Sequence, residues 1–141
     1  MFKTPSVYNA PAVQCGIVDF SPSSRERILF VCTANVDRSP TAEDLYRGDE
    51  RYEVRSAGVA PFATVPLTQD LLLWADRVFV MNENEDRHRT FIRIKFPHVD
   101  RPVIDLDIED NWARGDRDLE DLILRRLRPH LGAPRGGRGG A

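Results

Sequence analysis

Short apolar runs alternate with amphipathic stretches along the middle of this chain. Residues 27–31 (RILFV) form an apolar run rich in strand-favouring side chains. Residues 39–47 begin with Ser39 and Pro40 and stop before Gly48. This pattern predicts a helix capped by the serine, with the proline in its first helical position. The sequence therefore predicts a strand, a short loop and a helix, in that order.

The same pairing of a strand and a helix recurs three more times. Later strands are predicted at residues 52–56, 77–81 and 103–106, and later helices at residues 67–75, after residue 82 and from residue 116. Asn82 and Glu85 have the spacing of a capping box, which predicts that the third helix begins beside them. Alternating strands and helices are typical of a parallel sheet with helices on both faces. We therefore expect an α/β fold whose ligand site lies at the carboxyl ends of the strands.

The length of 141 residues and the 41% hydrophobic content are enough for one core. We expect that core in one domain at residues 26–131. Residues 1–25 are rich in Pro, Ser and Ala and are predicted to be a flexible extension. Residues 132–141 (GAPRGGRGGA) are half glycine and are predicted to be a disordered tail.

Charge and cysteine content narrow the possible partners and the compartment. With 22 acidic and 20 basic side chains the net charge is -2, so neither nucleic acid nor an anionic membrane is an expected partner. No apolar run approaches the ~20 residues of a membrane span. Only Cys15 and Cys32 occur, which argues against a disulfide framework and favours a reducing compartment. We expect a cytoplasmic protein.

The loop after the first predicted strand contains the candidate catalytic residues. Its sequence, VCTANVDRSP, places Cys32 six positions before Arg38 and leads directly into a helix. Backbone N–H groups at a helix N-terminus bind anions, and phosphate is a natural guest. Arg38 can hold two phosphate oxygens with one planar fork. The same positive groups favour the thiolate of Cys32, which is the nucleophilic form of a cysteine.

The segment ILFVCTANVDRSPTAE resembles the signature loop of the low-molecular-weight protein tyrosine phosphatases, which is cysteine, five residues, arginine, serine and proline. Downstream, RSAGVAP, WADRVFVMNENEDR and IEDNW are similar to further segments of that family. The likeness extends from residue 27 to about residue 131 and is closest to short bacterial and archaeal members. It implies a flavodoxin-like three-layer fold with a four-stranded parallel sheet. It also implies phosphomonoester hydrolysis through a cysteinyl-phosphate intermediate, without a metal or other cofactor.

The resemblance also implies a role for each matching residue. Cys32 would be the nucleophile and Arg38 the clamp on the phosphate and the transition state. Ser39 would donate a hydrogen bond to the thiolate. Asn35 would fix a strained turn of the loop, with support from Ser56 on the second strand. The remaining loop positions expected to line the phosphate are Thr33, Ala34, Val36 and Asp37.

A general acid must also protonate the leaving oxygen and later activate water. Asp110 in IEDNW is the predicted acid, with Asp107 and Asp105 as rivals nearer the strand. The aromatic side chain of Trp112 is predicted to be one wall for the substrate ring, and Phe62 is a candidate for the opposite wall.

The chain departs from the family pattern at four places. Ala34 replaces a glycine, and Asp37 replaces a position that often holds a second cysteine. We expect the Asp37 carboxylate to face away from the phosphate, because an inward charge would oppose anion binding. Asn111 follows the predicted acid where the family has a proline. The link between residues 58 and 66 is short, which leaves substrate choice open.

Two other functions compete with that of a tyrosine phosphatase acting on a phosphorylated protein or a small aryl phosphate. Arsenate reductases share this loop, but the thiol-dependent ones need further cysteines, and this chain offers only Cys15. A catalytically weak phosphate-binding module is the second alternative, suggested by Asp37 and by the missing proline.

Overall fold

Four strands and four helices alternate along residues 25–135, the part of the chain that this computed structural model describes. The strands are β1 (Glu26–Cys32), β2 (Tyr52–Gly58), β3 (Arg77–Val80) and β4 (Val103–Asp105). The helices are α1 (Arg38–Tyr46), α2 (Gln69–Trp74), α3 (His88–Lys95) and α4 (Arg117–Leu131). The predicted order of elements is confirmed. Most of the predicted extension at 1–25 and of the predicted tail at 132–141, and Cys15 with it, falls outside the described residues.

All strand pairings are parallel, and the order across the sheet is β2-β1-β3-β4. This is the predicted flavodoxin-like arrangement, in which the chain leaves β1 in one direction for β2 and then crosses to the other side for β3. The carboxyl end of β1 is therefore the switch point of the sheet, with Cys32 beside Gly58 of β2 in the strand register.

Two hydrophobic clusters lie on opposite faces of the sheet, because successive strand residues point to opposite sides. On one face α1 and α4 cover Ile28, Phe30 and Phe79. On the other face α2 and α3 cover alternate strand residues, and this cluster contains Leu29, Val31, Ala57, Leu72, Ala75, Val78, Val80 and Ile92. Since both faces are buried, β1 reads as a continuous apolar run. No helix in the described range is long and apolar enough to cross a bilayer.

The predicted starts of two helices are wrong. Helix α1 begins at Arg38 with Asp37 at its N-cap position, so Ser39 lies inside the helix. The hydroxyl of Ser39 is within hydrogen-bonding distance of the Cys32 sulfur and does not cap the helix. Asn82 closes the turn before α3, where its side-chain oxygen accepts from the amides of Glu85 and Asp86. In both cases a tertiary or loop contact takes the side chain that the local pattern assigns to a cap.

Helix α3 consequently begins six residues after Asn82, at His88. The carboxylate of Glu83 accepts from the backbone N–H of Thr90 at 2.9 Å and also from its hydroxyl, which satisfies an amide of the first turn. Arg87, just before the helix, has a φ of 57° and turns the chain into it.

Gly58 ends β2 where the chain runs against the loop after β1. A Cβ added at Gly58 would lie 2.4 Å from the carbonyl oxygen of Thr33, 2.7 Å from the Cβ of Ala63 and 2.9 Å from the backbone N of Asn35. Two of these three neighbours are backbone atoms and cannot swing aside. Only glycine therefore allows β2 to approach the loop this closely.

We predict that Gly58→Ala destabilises the fold by about 1–3 kcal/mol, because an added methyl group in a filled site forces backbone shifts. Urea unfolding followed by circular dichroism measures this change. A variant as stable as the wild type would show that the loop gives way easily, contrary to this interpretation.

Candidate active site

The loop between β1 and α1, residues 32–38, is shaped by three hydrogen bonds to the segment after β2. The carbonyl oxygens of Cys32, Thr33 and Ala34 accept from the backbone N–H groups of Val59, Ala60 and Thr64 at 2.9–3.0 Å. In a trans peptide the N–H of the following residue points opposite to the carbonyl. The N–H groups of residues 33, 34 and 35 are therefore directed away from that segment, as an anion cradle requires.

Cys32 lies at the start of this loop and is 3% exposed. Its sulfur is 2.9 Å from the hydroxyl oxygen of Ser39, and either atom can act as donor. When the cysteine is a thiolate, only the serine has a proton to give, so the contact then stabilises the charged sulfur.

Asn35 connects the loop to the elements around it. Its φ of 57° lies in the left-handed region, which Asn tolerates better than most residues. Its side-chain nitrogen donates to the hydroxyls of Ser39, at 3.0 Å, and Ser56, at 2.9 Å. Its side-chain oxygen accepts from the N–H of Val65 at 3.1 Å. Ser56 in turn donates to a carboxylate oxygen of Glu43 at 2.5 Å, so a chain of polar side chains runs from the sulfur to α1.

The guanidinium of Arg38 is 2% exposed and is fixed at one end. Its NH1 donates to Asp86 at 2.8 Å and to the carbonyl oxygen of Ile108 at 2.9 Å. Both hydrogen bonds use NH1, so Nε and NH2 donate no hydrogen bond to the described residues and can together hold two oxygens of a bound anion.

The three candidate acids differ in their surroundings. Asp110 has a side chain that is 60% exposed, with a carboxylate oxygen 3.7 Å from Nε of Arg38. Asp105 uses one oxygen to accept from the N–H groups of Glu83 and Asp107, at 3.1 Å and 3.0 Å. Asp107 is exposed and has a φ of 57°. Of the three carboxylates, that of Asp110 therefore has the direct contact with the loop arginine.

The remaining residues of the predicted site differ in their exposure and in their contacts. Val36 is exposed, and Phe62 is 77% exposed on the segment that follows β2. Trp112 is half-buried and packs against the hydrophobic cluster beneath α1 and α4. The Asp37 carboxylate accepts from the N–H of Arg114 at 3.0 Å, so it is directed to the loop between β4 and α4.

Sequence reasoning missed His88, which lies against the phosphate-loop residue Thr33. The His88 side chain is fully buried, and its Nδ1 accepts from the N–H of Asn82 at 3.1 Å. An amide can only donate, so the proton is on Nε2, which donates to the hydroxyl of Thr33 at 2.9 Å. Asp86, the partner of Arg38, was missed as well. Both residues follow β3 at the carboxyl edge of the sheet, where the ligand site was expected. That position could have identified them as candidate site residues from the sequence.

Burial lowers the pKa of His88 to about 4, the charge of Arg38 acts in the same direction, and Asp86 and Glu83 oppose both. The unfolded chain binds a proton near the ordinary histidine value of 6.5. Stability from the neutral ring is therefore complete above that pH and is lost as the pH falls from about 6.5 to about 4.

We predict that between pH 7 and pH 4 the free energy of unfolding falls by up to about 3 kcal/mol more in the wild type than in His88→Gln. Urea unfolding at several pH values measures the difference. His98→Gln, which changes an exposed histidine, is the control and should follow the wild type. Parallel curves for the wild type and His88→Gln would contradict the assignment of a neutral buried ring.

No group of three or more His, Cys, Asp or Glu within residues 25–135 is arranged to hold a metal ion.

Several solved structures are similar to this chain. No family model and no curated protein sequence matches the chain. A YwlE variant from Bacillus subtilis is 29% identical, with a TM-score of 0.59, and the match covers 75% of this chain and 98% of that one. YwlE arginine phosphatase from Geobacillus stearothermophilus is 28% identical, with a TM-score of 0.56, and the match covers 75% and 92%.

A low-molecular-weight protein tyrosine phosphatase from T. tengcongensis has the same fold at 20% identity, with a TM-score of 0.57 and coverage of 75% and 99%. Almost the full length of each of these three proteins is matched. The sequence motif, the strand order and these structural matches agree. They support the resemblance to the low-molecular-weight protein tyrosine phosphatase family, whose members are phosphoric monoester hydrolases.

Proposed function

We propose that this protein is a cysteine-dependent protein tyrosine phosphatase that acts through a cysteinyl-phosphate intermediate. The observation that carries the proposal is the arrangement around one loop. The sulfur of Cys32 lies 2.9 Å from the hydroxyl of Ser39, and the guanidinium of Arg38, pinned by its NH1, lies 3.7 Å from the carboxylate of Asp110. These contacts support the proposed roles of Cys32 as nucleophile, Arg38 as anion clamp and Asp110 as proton donor.

In the first step the phosphoryl group of the substrate sits in the loop and accepts from the inward N–H groups and from the free edge of Arg38. The thiolate of Cys32 attacks phosphorus opposite the leaving oxygen, so the S–P bond forms as the P–O bond breaks. Asp110 gives its proton to the departing oxygen. Because Arg38 is already oriented by Asp86 and Ile108, little reorganisation is needed when charge moves onto the phosphoryl oxygens.

In the second step a water molecule attacks the phosphocysteine. Asp110, now a carboxylate, takes a proton from the water, the S–P bond breaks, and inorganic phosphate leaves. Ser39 donates to the sulfur as it regains its negative charge. The cycle returns Cys32 and Asp110 to their starting states and uses no further reactant.

Exposed apolar side chains on the loop and on the segment bonded to it favour an aromatic leaving group. Val36 and Phe62 are exposed for 50% and 77% of their surface, and Val65, which bonds to Asn35, for 43%. Such side chains can cover a phenyl ring, whereas they offer a charged guanidinium no partner.

An arginine phosphatase is the second candidate, because two of the similar structures at 27–28% identity are described as YwlE arginine phosphatases. In one of them an active-site serine that replaces a cysteine is phosphorylated, which supports covalent transfer at that position in that protein. The exposed carboxylates of Asp107 and Glu109 could pair with a guanidinium on the substrate.

Two alternatives have less support. A thioredoxin-dependent arsenate reductase shares the fold at 20% identity, but such chemistry needs further cysteines, and the only other one here is Cys15. A weak phosphate-binding module would need no proton donor, yet Asp110 lies beside the clamp.

Two peptides of one sequence, carrying either phosphotyrosine or phosphoarginine, separate the two phosphatase candidates. We predict that kcat/KM is at least about tenfold higher for the phosphotyrosine peptide, since apolar contact with a phenyl ring is worth about a kcal/mol or more and a charged guanidinium gains none of it. Cys32→Ser is the control and should abolish turnover of both. A reversed preference would establish the arginine phosphatase, and no turnover of either peptide by the wild type would favour the binding module.

The role of Asp110 is tested by the basicity of the leaving oxygen. We predict that Asp110→Ala slows the single-turnover phosphoryl transfer from phosphotyrosine by roughly 10²- to 10⁴-fold, because its phenol, with a pKa near 10, needs a proton as it leaves. With dinitrophenyl phosphate, whose oxygen leaves readily as an anion, the loss should be much smaller. Asp107→Ala and Asp105→Ala are the matched controls. Equal losses with both substrates would rule out Asp110 as the acid.

A further inference from the structure

The loop between β4 and α4, residues 106–116, carries Asp110 but has no regular structure. Two of its residues, Asp107 and Gly115, have positive φ angles of 57° and 81°. An irregular loop keeps one position only through specific contacts, and proton transfer depends on position. A displacement of about 1 Å at a reacting group can cost about 10² in rate. The contacts that hold this loop therefore bear on catalysis.

Three contacts join the far end of this acid loop to α1 and its N-cap residue Asp37. The carboxylate of Asp37 accepts from the N–H of Arg114 at 3.0 Å. The hydroxyl of Thr41 accepts from the N–H of Gly115 at 3.1 Å and donates to the carbonyl oxygen of Asp37 at 2.7 Å. The guanidinium of Arg114 forms two parallel hydrogen bonds with Asp44, both of 2.9 Å.

Asp37 is used in an unusual way for a residue at an N-cap position. Its side chain makes no capping hydrogen bond to α1, although Asp is among the preferred N-cap residues. The carboxylate instead reaches across to the acid loop. Asp37, a residue of the phosphate loop, is thus hydrogen-bonded to the loop that contains Asp110.

The ion pair between Arg114 and Asp44 keeps its charges in the folded protein. Burial acts to raise the pKa of Asp44, but the hydrogen bonds and charge of Arg114, with a smaller contribution from Arg47, outweigh it and leave that pKa below its ordinary value. The hydrogen bond to Asp44 raises the pKa of Arg114. The bidentate geometry adds direction to the attraction, which a single charge would not supply.

We propose that Arg114, held by Asp37 and Asp44, is a positioning residue that sets the reach of Asp110 over the phosphate loop. The inference rests on the proposed role of Asp110 as the general acid. It assigns a function to Asp37, at the position where related proteins often have a second cysteine, and it makes the acid loop and the phosphate loop move as one unit.

Single-turnover rates of Arg114→Ala test the proposal with two substrates. We expect phosphoryl transfer from phosphotyrosine to slow by about 3- to 30-fold, a part of the 10²- to 10⁴-fold contribution of a general acid. Transfer from dinitrophenyl phosphate should change by less than about twofold, because that leaving group needs no proton. Arg47→Ala is the matched control, because Arg47 also bonds to Asp44 at 2.9 Å but lies at the C-cap of α1, outside the acid loop, and should not affect either rate.

A double variant shows whether Arg114 acts through Asp110. In the Asp110→Ala background, Arg114→Ala should cause no further loss of rate with phosphotyrosine. The acid that Arg114 would position is already absent from that variant. Equal losses with both substrates, or a full loss on top of Asp110→Ala, would overturn the proposal, because they indicate general damage to the fold.

Amide hydrogen exchange separates this proposal from the identity of the acid. In Arg114→Ala the amides of residues 108–115 should exchange faster, while those of β1 and β3 keep their protection. If Asp110→Ala fails to distinguish the two leaving groups, the acid assignment is wrong, and exchange then decides alone whether Arg114 holds the loop. Unchanged exchange in the acid loop would refute the positioning role whatever the acid is.

Discussion

The direction of three peptide groups determines what the loop after β1 can bind. The carbonyl oxygens of residues 32–34 are taken by backbone amides of the segment after β2, so the amides of residues 33–35 face the opposite side. This division is possible only because Gly58 lets β2 approach within van der Waals distance of the loop backbone. Asn35 then fixes the bend with hydrogen bonds to Ser39, Ser56 and Val65. The segment between residues 58 and 66, which the sequence analysis linked to substrate choice, therefore also supports the loop after β1.

The strands and the candidate phosphate loop could be predicted from the sequence, because each depends on a short, continuous sequence pattern. A run such as ILFV is typical of a strand buried on both faces of a parallel sheet, and the cysteine six residues before an arginine resembles a known signature loop. The starts of α1 and α3 were not readable. Ser39 and Asn82 are both preferred capping residues, but Ser39 contacts the Cys32 sulfur, and Asn82 accepts from the amides of Glu85 and Asp86 in a turn that ends before α3. His88 and Asp86 were missed because their partners Thr33 and Arg38 lie about 50 residues away in sequence.

The departures at positions 37 and 111 are related in the structure. A proline after the acid would stiffen that loop, and this chain has Asn111 there. The acid loop is instead tied down at its other end, through Asp37, Thr41 and the pair of Arg114 with Asp44. The carboxylate of Asp37 would oppose phosphate binding if it faced the anion. It instead faces the acid loop, where it accepts from the N–H of Arg114. Asp37 thus belongs to a set of contacts that would hold the proposed proton donor in place without the proline.

The central claim is that Cys32 carries the phosphoryl group during turnover. Its most direct test is rapid quenching of the protein during reaction with a phosphotyrosine peptide, followed by phosphorus NMR and peptide mass spectrometry of the denatured chain. The account predicts one phosphoryl group on the sulfur of Cys32, formed at the rate of tyrosine-peptide release and lost at the rate of phosphate release. Turnover with no phosphoryl group on Cys32, or turnover that survives Cys32→Ser, would contradict it.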